Sequence, residues 1–226
     1  MFQNNKIILV LPCYNEEKGL LEIFNKKPAL IDEVIVVDNN STDGTADIAR
    51  RFGAKVLFIK EKGYGLACRN GISRQSPDGI IVMMDGDNSY PVSEIEKLLN
   101  FMEKNNYDFL SGCRFPLTDK KAMPLIKRLS NGFISHLIRI LFSIKLIDSQ
   151  SGMLVFKGRL LKEILSFNPG MGFSQEIKIK AWTNPNIRSG EFNIKYSVRS
   201  GEVKFRSLQD GIKVLCDLFI FRIKTI

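Results

Sequence analysis

An alternation of apolar and amphipathic runs in the first half of the chain restricts the fold more than any other feature. The apolar runs predict strands at 6–11, 33–37, 55–59, 79–84 and 107–111, and the runs between them predict helices at 16–24, 45–52, 65–73 and 92–104. Strands that alternate with helices form mainly parallel sheets with helices on both faces. The sequence therefore predicts an α/β fold with a mainly parallel central sheet flanked by helices.

The second half of the chain is less regular. It predicts strands at 152–156 and 191–198, a helix at 174–182, and basic amphipathic segments at 123–147 and 208–226. No Gly/Ser/Pro-rich linker or internal repeat interrupts the 226 residues. We therefore expect a single domain over 1–211, followed by a basic amphipathic extension over 212–226.

The cysteines and the hydropathy indicate a cytoplasmic protein. The four cysteines lie far apart and lack the spacing of a zinc site, which predicts reduced thiols. No run reaches the roughly 18 apolar residues of a membrane span, and the N-terminus lacks the basic region of a signal peptide. We expect a cytoplasmic protein, or one that is peripheral on the cytosolic face of a membrane.

The formal net charge of +9 has two interpretations. One is a solvated basic surface, and the other is an anionic partner such as a nucleotide, a lipid phosphate or nucleic acid. Because the basic residues are not interleaved with aromatic residues as single-strand-binding surfaces require, nucleic acid is not expected.

Polar, turn-forming residues follow each of the first four predicted strands, at 12–16, 38–45, 60–65 and 85–87. Ligands of parallel sheets bind beyond the carboxyl ends of the strands, which meet at one edge. These segments therefore predict a binding site at that edge.

Asp85 and Asp87 flank Gly86 directly after the apolar run 80–84. Two carboxylates at this point suit a hard divalent cation, Mg²⁺ or Mn²⁺, and such a cation suits a diphosphate. A polar turn is the alternative, since Asp-Gly is a common turn dipeptide. The three neighbouring polar segments favour the metal, with Asp87 as the direct ligand and Asp85 bridging metal, ribose or water.

Two further segments at this edge suggest nucleotide binding. Asp38 follows an apolar run and can accept hydrogen bonds from a base or ribose, although capping of the next helix also explains nearby polar residues. The segment that contains Gly63 and Gly65 lacks the third glycine of a dinucleotide fingerprint, which argues against a nicotinamide site. We interpret it as a loop whose glycines allow close approach of the backbone and which carries Lys62.

Together these segments resemble the family 2 glycosyltransferases, inverting enzymes of the GT-A fold. The segments that carry the resemblance are Pro12-Cys13-Tyr14-Asn15-Glu16, Val37-Asp38-Asn39-Asn40-Ser41-Thr42-Asp43-Gly44-Thr45, Lys62-Gly63-Tyr64-Gly65 and Asp85-Gly86-Asp87. Others are similar to the polyprenyl-phosphate hexosyltransferase branch, typified by dolichol-phosphate mannose synthase: Gly112-Cys113-Arg114, Arg128-Leu129-Ser130-Asn131, Asp148-Ser149-Gln150-Ser151-Gly152 and Arg199-Ser200-Gly201-Glu202-Val203-Lys204.

The resemblance implies a nucleotide-sugar-binding half at 1–114 and an acceptor half at 115–211. It implies donor-binding residues at Pro12, Tyr14, Glu16, Asp38, Asn39, Lys62, Asp85, Gly86, Asp87, Arg114, Arg199 and Lys204. It also implies an acceptor-phosphate site at Arg114, Arg128 and Ser130, a metal site at Asp85 and Asp87, and catalytic roles for Asp87, Arg114, Arg128 and Glu176. For any of these basic residues taken singly, a solvated surface charge is the usual role.

The chain departs from the family pattern in two places. Asn39 and Asn40 stand where relatives carry aspartate and glycine, which places the nucleoside preference in doubt. Ser89 stands where relatives often carry a glutamine ligand, so a water can complete the metal shell.

The resemblance implies inverting transfer of mannose or glucose from a GDP- or UDP-hexose to a polyprenyl or dolichyl phosphate. Such an acceptor is already anionic and needs no general base. A saccharide or other hydroxyl acceptor, in cell-surface glycan synthesis, is the alternative, and Glu176 is then the candidate base. Its other interpretation is to orient an arginine or the donor sugar. We expect the segment 123–147 either to pack in the core or to lie on a membrane surface. A separate membrane subunit is the alternative means of membrane attachment.

Overall fold

The computed structural model describes residues 5–201 and 207–225. Its strands are β1 (Ile7–Cys13), β2 (Glu33–Asp38), β3 (Lys55–Phe58), β4 (Ile80–Met83), β5 (Phe109–Cys113), β6 (Leu154–Lys157) and β7 (Ser189–Asn193). Its α-helices are α1 (Glu17–Asn25), α2 (Thr45–Arg51), α3 (Tyr64–Ile72), α4 (Ser93–Lys104), α5 (Leu125–Phe142), α6 (Leu161–Ile164), α7 (Phe173–Thr183) and α8 (Ser207–Thr225), with 3₁₀ turns at Lys120–Ala122 and Gly158–Leu160.

The strands form one seven-stranded sheet in the order β3-β2-β1-β4-β6-β5-β7. All neighbours are parallel except β6, which runs antiparallel to both β4 and β5. The predicted α/β fold with a mainly parallel central sheet is thus confirmed. Because β2 and β4 lie on opposite sides of β1, the strand order reverses there, and the carboxyl ends of β1 and β4 border the crevice in which such sheets bind ligands.

The strand β1 shows why this sequence forms a central strand. All seven of its residues are buried, as expected for a parallel strand covered on both faces. Leu9 and Leu11 pack into a cluster with α1 and α4, whereas Ile8 and Val10 pack into a second cluster with α3 and α7. The period of two therefore distributes β1 between the two cores.

Some predicted bounds are shifted. The strand predicted at 107–111 is β5 at Phe109–Cys113, because a turn with Asn106 at a φ of 53° precedes it. The strand predicted at 191–198 is β7 at Ser189–Asn193, and the following residues leave the sheet and run beside the loop after β4. Strands predicted in the first half and in the second half of the chain thus belong to the same sheet.

The helices α5 and α8 account for the two amphipathic segments. They pack side by side over a third apolar cluster that includes Ile134, Ile138, Val214 and Leu218. In the described residues, no helix combines the length and apolar character needed to cross a membrane. The expected boundary at 211 falls within α8, and the division into domain and extension stays a prediction.

Candidate functional site

Polar loops from four parallel strands meet at one edge of the sheet, as predicted. The loops after β1 and β2 are joined by a hydrogen bond from the Asn39 amide to the Cys13 carbonyl (2.8 Å) and by one from the Asn15 amide to Ser41 Oγ (2.9 Å). The loop after β3 joins them because the Gly63 amide donates to Asn39 Oδ1 (2.8 Å).

Residues predicted to hold the nucleoside line this edge. Asp38 is buried, and its Oδ1 accepts from the Ser41 amide (3.0 Å). Lys62 Nζ donates to Tyr14 Oη (2.6 Å) and lies 4.2 Å from the Tyr14 ring centroid. Pro12 is a buried residue of β1 opposite Val37. The structure thus brings Tyr14 and Lys62 into contact and places Asp38 at the same edge of the sheet.

Asn39 has a structural task that the sequence did not indicate. Its Nδ2 donates to the carbonyls of Ile59 (3.2 Å) and Glu61 (2.6 Å), and its Oδ1 accepts from Gly63. These bonds hold the loop after β3 against β2. Nucleoside contact by this side chain stays a prediction.

The Asp85-Gly86-Asp87 segment is packed tightly between β1 and α1. A Cβ at Gly86 would lie 2.4 Å from Cys13 Sγ, and one at Gly19 of α1 would lie 2.3 Å from the Gly86 carbonyl oxygen. Asp87 is buried, and its Oδ1 accepts from the amide (2.9 Å) and the hydroxyl (2.6 Å) of Ser89. Both carboxylates are therefore held in place by backbone packing.

Asp85 is a carboxyl group with a raised pKa. Loss of solvation, and then the charge of Asp87, raise the pKa of Asp85 to about 7, while a 3.0 Å hydrogen bond from Tyr64 Oη to its Oδ1 acts in the opposite direction. Arg114 also lowers this pKa, and Glu16 raises it. Two crowded carboxyl groups that repel each other form a place where positive charge is stabilised.

Arg199 bridges two acidic side chains of the site. Its Nη2 donates to Glu16 Oε1 (2.8 Å), and its Nη1 lies 3.3 Å from Asp87 Oδ2. The segment is fixed by backbone bonds, in which the Ser200 amide donates to the Asp87 carbonyl (2.8 Å) and the Ser197 amide to the Ser89 carbonyl (2.9 Å). The prediction that Arg199 belongs to the same site as Asp87 and Glu16 thus has a geometric basis.

The donor set at Asp85 and Asp87 fits a hard divalent cation. Carboxylate oxygens are its preferred ligands, and Mg²⁺ is commonly held by one or two carboxylates together with substrate phosphates and waters. Within 5–201 and 207–225, no group of three or more His, Cys, Asp or Glu side chains could hold a metal. A cation at this pair would therefore need oxygen ligands beyond protein carboxylates, and a diphosphate supplies them.

Arg114 forms a buried ion pair with Asp148. Its Nε and Nη2 donate to the two Asp148 oxygens (2.7 and 2.8 Å), and Asp148 also accepts from Asn131 Nδ2 (2.7 Å). Although burial opposes it, the charge of Arg114 lowers the pKa of Asp148 to about 2, with help from the charge of Lys178. Lys178 Nζ donates to the carbonyls of Asp148, Ser149 and Ser151, which fixes the loop before β6. Two donor atoms of Arg114 are thus already engaged, and phosphate binding by Arg114 stays a prediction.

The first turns of α5 bring basic side chains to the site. The pKa of Lys127 is lowered by desolvation first and then by the charges of Arg199 and Arg114, while Asp87 raises it, so Lys127 lies near all three. Arg128 Nε is buried and has no hydrogen-bond partner in the described part of the chain. Ser130 is exposed, and its hydroxyl donates to the Ile126 carbonyl of its own helix (2.8 Å). Acceptor binding by Arg128 and Ser130 stays a prediction.

Glu176 lies near the start of α7 and organises the preceding loop. Its Oε2 accepts from Ser166 Oγ (2.6 Å) and its Oε1 from Asn168 Nδ2 (3.1 Å). Ser174, two residues earlier, comes within 3.5 Å of Tyr64 Oη and so reaches the Asp85 side of the site. These contacts favour a positioning role for Glu176, and its role as a base stays a prediction.

Sequence reasoning missed several residues of the site. Tyr64, Tyr90 and Lys178 make contacts that no local pattern predicts. Tyr90 Oη, for example, accepts from the amide of Gly152 (2.8 Å), a residue that is distant in sequence. Asp148 stood in one of the segments that carried the family resemblance, which was the available signal. Lys204 lies outside the described residues.

The fold is similar to solved structures of glucosyl-3-phosphoglycerate synthase from Mycobacterium tuberculosis. The complex with Mn²⁺, uridine-diphosphate-glucose and phosphoglyceric acid superposes with a TM-score of 0.76 at 20% identity, and covers 97% of this chain and 80% of that chain. The complex with Mg²⁺ and uridine-diphosphate gives the same values. At this identity, the likeness shows the fold alone.

Curated relatives are more similar in sequence. The dolichyl-phosphate hexose transferase of Haloferax volcanii is 30% identical over 213 residues, which is 92% of this chain and 90% of that protein. The low-salt glycan biosynthesis hexosyltransferase Agl6 of the same organism is 29% identical over 210 residues, which is 90% of this chain and 50% of the relative. The chain therefore spans about half the length of Agl6.

The family model described as glycosyl transferase family 2 matches residues 8–161, which include the strands from β1 to β6 except the first residue of β1, and the Asp85-Gly86-Asp87 segment. This chain is a member of glycosyl transferase family 2, as its motifs had predicted.

Proposed function

We propose that this chain transfers a hexose, mannose or glucose, from a GDP- or UDP-linked donor to a polyprenyl phosphate. Inversion at the anomeric carbon and a requirement for Mg²⁺ or Mn²⁺ are parts of the proposal. The observation that carries it is the gathering of basic side chains over one carboxylate pair. Arg199 contacts Asp87, and Lys127 lies close enough to feel the charge of Asp87. A reaction that brings two phosphate-bearing substrates together needs such an arrangement.

The similarity to a dolichyl-phosphate hexose transferase supports the lipid phosphate acceptor. That relative aligns along nearly its whole length, so the acceptor half is included in the match. The basic start of α5 lies in this half, which agrees with an acceptor that carries phosphate.

The chemistry needs one bond to form and one to break. An oxygen of the acceptor phosphate attacks the anomeric carbon from the side opposite the leaving group, and the bond from that carbon to the diphosphate oxygen breaks with its electron pair on the diphosphate. No proton must be removed, because the acceptor oxygen is already anionic. Arg199 and Lys127 offset the negative charge of the substrates, since cationic donors stabilise phosphate oxygens.

Asp85 and Asp87 would hold the divalent cation. When bound, the cation supplies positive charge that offsets the charge of the departing diphosphate. The fixed position of Asp87, which the two Ser89 bonds maintain, keeps this carboxylate in one orientation.

Glu176 is a positioning residue under this proposal. Both of its carboxylate oxygens accept hydrogen bonds from the loop that precedes α7. Such a role agrees with an acceptor that needs no base, whereas a hydroxyl acceptor would require Glu176 or another base to be available. Because polyprenyl phosphates reside in membranes, we place the protein at the cytosolic surface of a membrane, bound directly or through a membrane subunit.

The test is a donor screen with purified protein. GDP-mannose, GDP-glucose, UDP-mannose and UDP-glucose are each incubated with a short prenyl phosphate and Mn²⁺ or Mg²⁺, and lipid-linked hexose is measured. We expect one donor to give product, Asp87→Ala to abolish it, and chelation to stop it. Transfer to a saccharide with none to the prenyl phosphate would refute the acceptor assignment.

A further inference from the structure

The helix α5 carries an outward apolar stripe that the protein core does not use. Five of its large apolar side chains are each 60–65% exposed: Leu125, Ile126, Leu129, Phe133 and Ile140. At about 100° per residue, these five positions fall within an arc of about 100°, on the side opposite Ile134 and Ile138, which are buried.

The helix α8 repeats this pattern. Its exposed apolar residues are Ile212, Phe219, Ile220 and Ile223, which are 48–74% exposed. They also fall within an arc of about 100°, and Val214 and Leu218 lie buried on the opposite side. Single exposed apolar residues are ordinary, but two aligned stripes on neighbouring helices form a patch of the kind that marks an interaction surface.

The two stripes belong to one surface. Both helices bury their inner sides in the same cluster, and they contact each other through the rings of Phe142 and Phe221, whose centroids are 6.0 Å apart. The charged guanidinium carbon of Arg222 lies over the Phe142 ring, 5.5 Å from its centroid. We call the exposed stripes of α5 and α8 the docking face.

The charge of these two helices indicates which partner binds the docking face. α5 contains three basic residues and no acidic residue, and α8 contains three basic and two acidic residues. Together that is six basic against two acidic residues, a net charge of +4. A second copy of this chain would bring the same positive charge against it, which disfavours self-association. An apolar stripe bordered by lysine and arginine suits a bilayer with anionic headgroups.

The docking face begins at the catalytic edge of the molecule. Asn131 of α5 donates to Asp148, the partner of Arg114, and Arg128 Nε is buried there without a partner among the described residues. Leu125 and Ile126 begin the stripe one turn before Arg128. A lipid that lies in the bilayer against α5 can therefore present its phosphate to the site.

We infer that α5 and α8 together form a membrane-docking face that binds anionic bilayers and brings the site to a lipid-borne acceptor. The second part of this inference rests on the proposed function, and the first part does not. Insertion of the stripes into the headgroup region buries apolar surface, while the flanking cations meet lipid phosphates.

Vesicle co-sedimentation tests the docking face directly. The full chain is mixed with phosphatidylcholine vesicles, with and without phosphatidylglycerol. We compare it with the double variants L129S/F133S and I220S/I223S. Phe58→Ser is the matched control, because Phe58 is 60% exposed on the edge strand β3, outside α5 and α8. Circular dichroism and thermal unfolding confirm that each variant is folded.

The wild type and Phe58→Ser are expected to bind the anionic vesicles. Each double variant is expected to bind them more weakly, by a factor of roughly ten or more. Absence of vesicle binding by the wild type at low salt would overturn the inference, as would equal binding by both double variants. A wild type that is dimeric in light scattering, with monomeric double variants and no lipid affinity, would show instead that the face joins two copies.

A transfer assay separates this inference from the proposed function. If both hold, L129S/F133S keeps transfer to a short water-soluble prenyl phosphate and loses transfer to a long polyprenyl phosphate in vesicles. If the wild type binds vesicles but transfers to neither acceptor, the proposed acceptor is wrong and the docking face stands. Equal loss with both acceptors would mean that the stripe supports the site itself, which contradicts a docking role.

Discussion

Removal of the Arg199 side chain should change cation binding and nucleotide binding in opposite directions. Arg199 supplies positive charge to Asp87 and Glu16, the same acidic groups that surround the proposed cation site. A divalent cation that binds Asp87 therefore competes with the guanidinium for one carboxylate. A diphosphate, in contrast, offers the guanidinium new oxygen partners.

The contact distances of Arg199 set the expected size of the change in the two affinities. The bond to Glu16 is short at 2.8 Å, the contact with Asp87 is longer at 3.3 Å, and the Arg199 side chain is 22% exposed. A hydrogen bond to a charged group contributes about 1.5–3 kcal/mol, and partial exposure places this pair near the lower end. Because about 1.4 kcal/mol corresponds to a factor of ten, Arg199→Ala should bind Mn²⁺ alone roughly tenfold more tightly. It should bind nucleoside diphosphate in the presence of Mn²⁺ roughly tenfold more weakly.

Electron paramagnetic resonance of free Mn²⁺ and isothermal titration calorimetry with UDP or GDP measure the two affinities separately. Arg50→Ala is the control, because Arg50 forms an exposed ion pair with Asp47 on α2. Weaker Mn²⁺ binding by Arg199→Ala in the absence of nucleotide would refute the competition, since it would mean that Arg199 supports the carboxylates instead of opposing the cation.

Three further predictions concern stability and the acceptor. Asp148→Asn should cost about 3–5 kcal/mol in urea unfolding, because it leaves Arg114 buried without its counter-charge. The lowered pKa of Asp148 means that the wild type loses roughly 2 kcal/mol as pH falls from about 4 to about 2, and a variant that still shows this loss would contradict the assignment. Gly65→Ala should destabilise the fold by about 1–3 kcal/mol in the same assay, since its Cβ would lie 2.0 Å from the Asn168 carbonyl oxygen; an unchanged midpoint would argue against this packing. Glu176→Gln should keep appreciable turnover with a prenyl phosphate in a steady-state assay, whereas near-total loss would indicate a hydroxyl acceptor.

Local patterns in the sequence predicted most of the strands and the edge where the site lies. Apolar runs such as Ile80–Met83 are buried because neighbouring strands and helices cover both faces, and the polar residues that follow them must leave the sheet at the same edge. The place of β6 could not be predicted in this way. Its antiparallel pairing with β4 and β5 depends on the path of the whole second half of the chain, which local periodicity does not record.

Side-chain pairing in the site was beyond prediction for a similar reason. Arg199 meets Glu16 across 183 positions of sequence, and Arg114 meets Asp148 across 34. Sequence marks these residues as polar and charged but does not say whether a partner is protein or substrate. Asn39 shows the consequence, since its side-chain amide holds the neighbouring loop, a contact that the sequence did not indicate, while a nucleoside contact by this residue stays a prediction.

Mutations on the inner and the outer side of α5 should have different consequences for activity. Asn131 faces inward and bonds to Asp148, so its loss should weaken the Arg114 pair and affect every acceptor. Leu129 and Phe133 face outward and have no part in that network, so their loss should affect only acceptors held in a membrane. A helix with a purely structural role would not separate the two classes of acceptor, because destabilisation of the fold lowers transfer to both. The ratio of activities on soluble and vesicle-borne prenyl phosphate is therefore the quantity that distinguishes a helix that supports the site from one that also delivers the substrate.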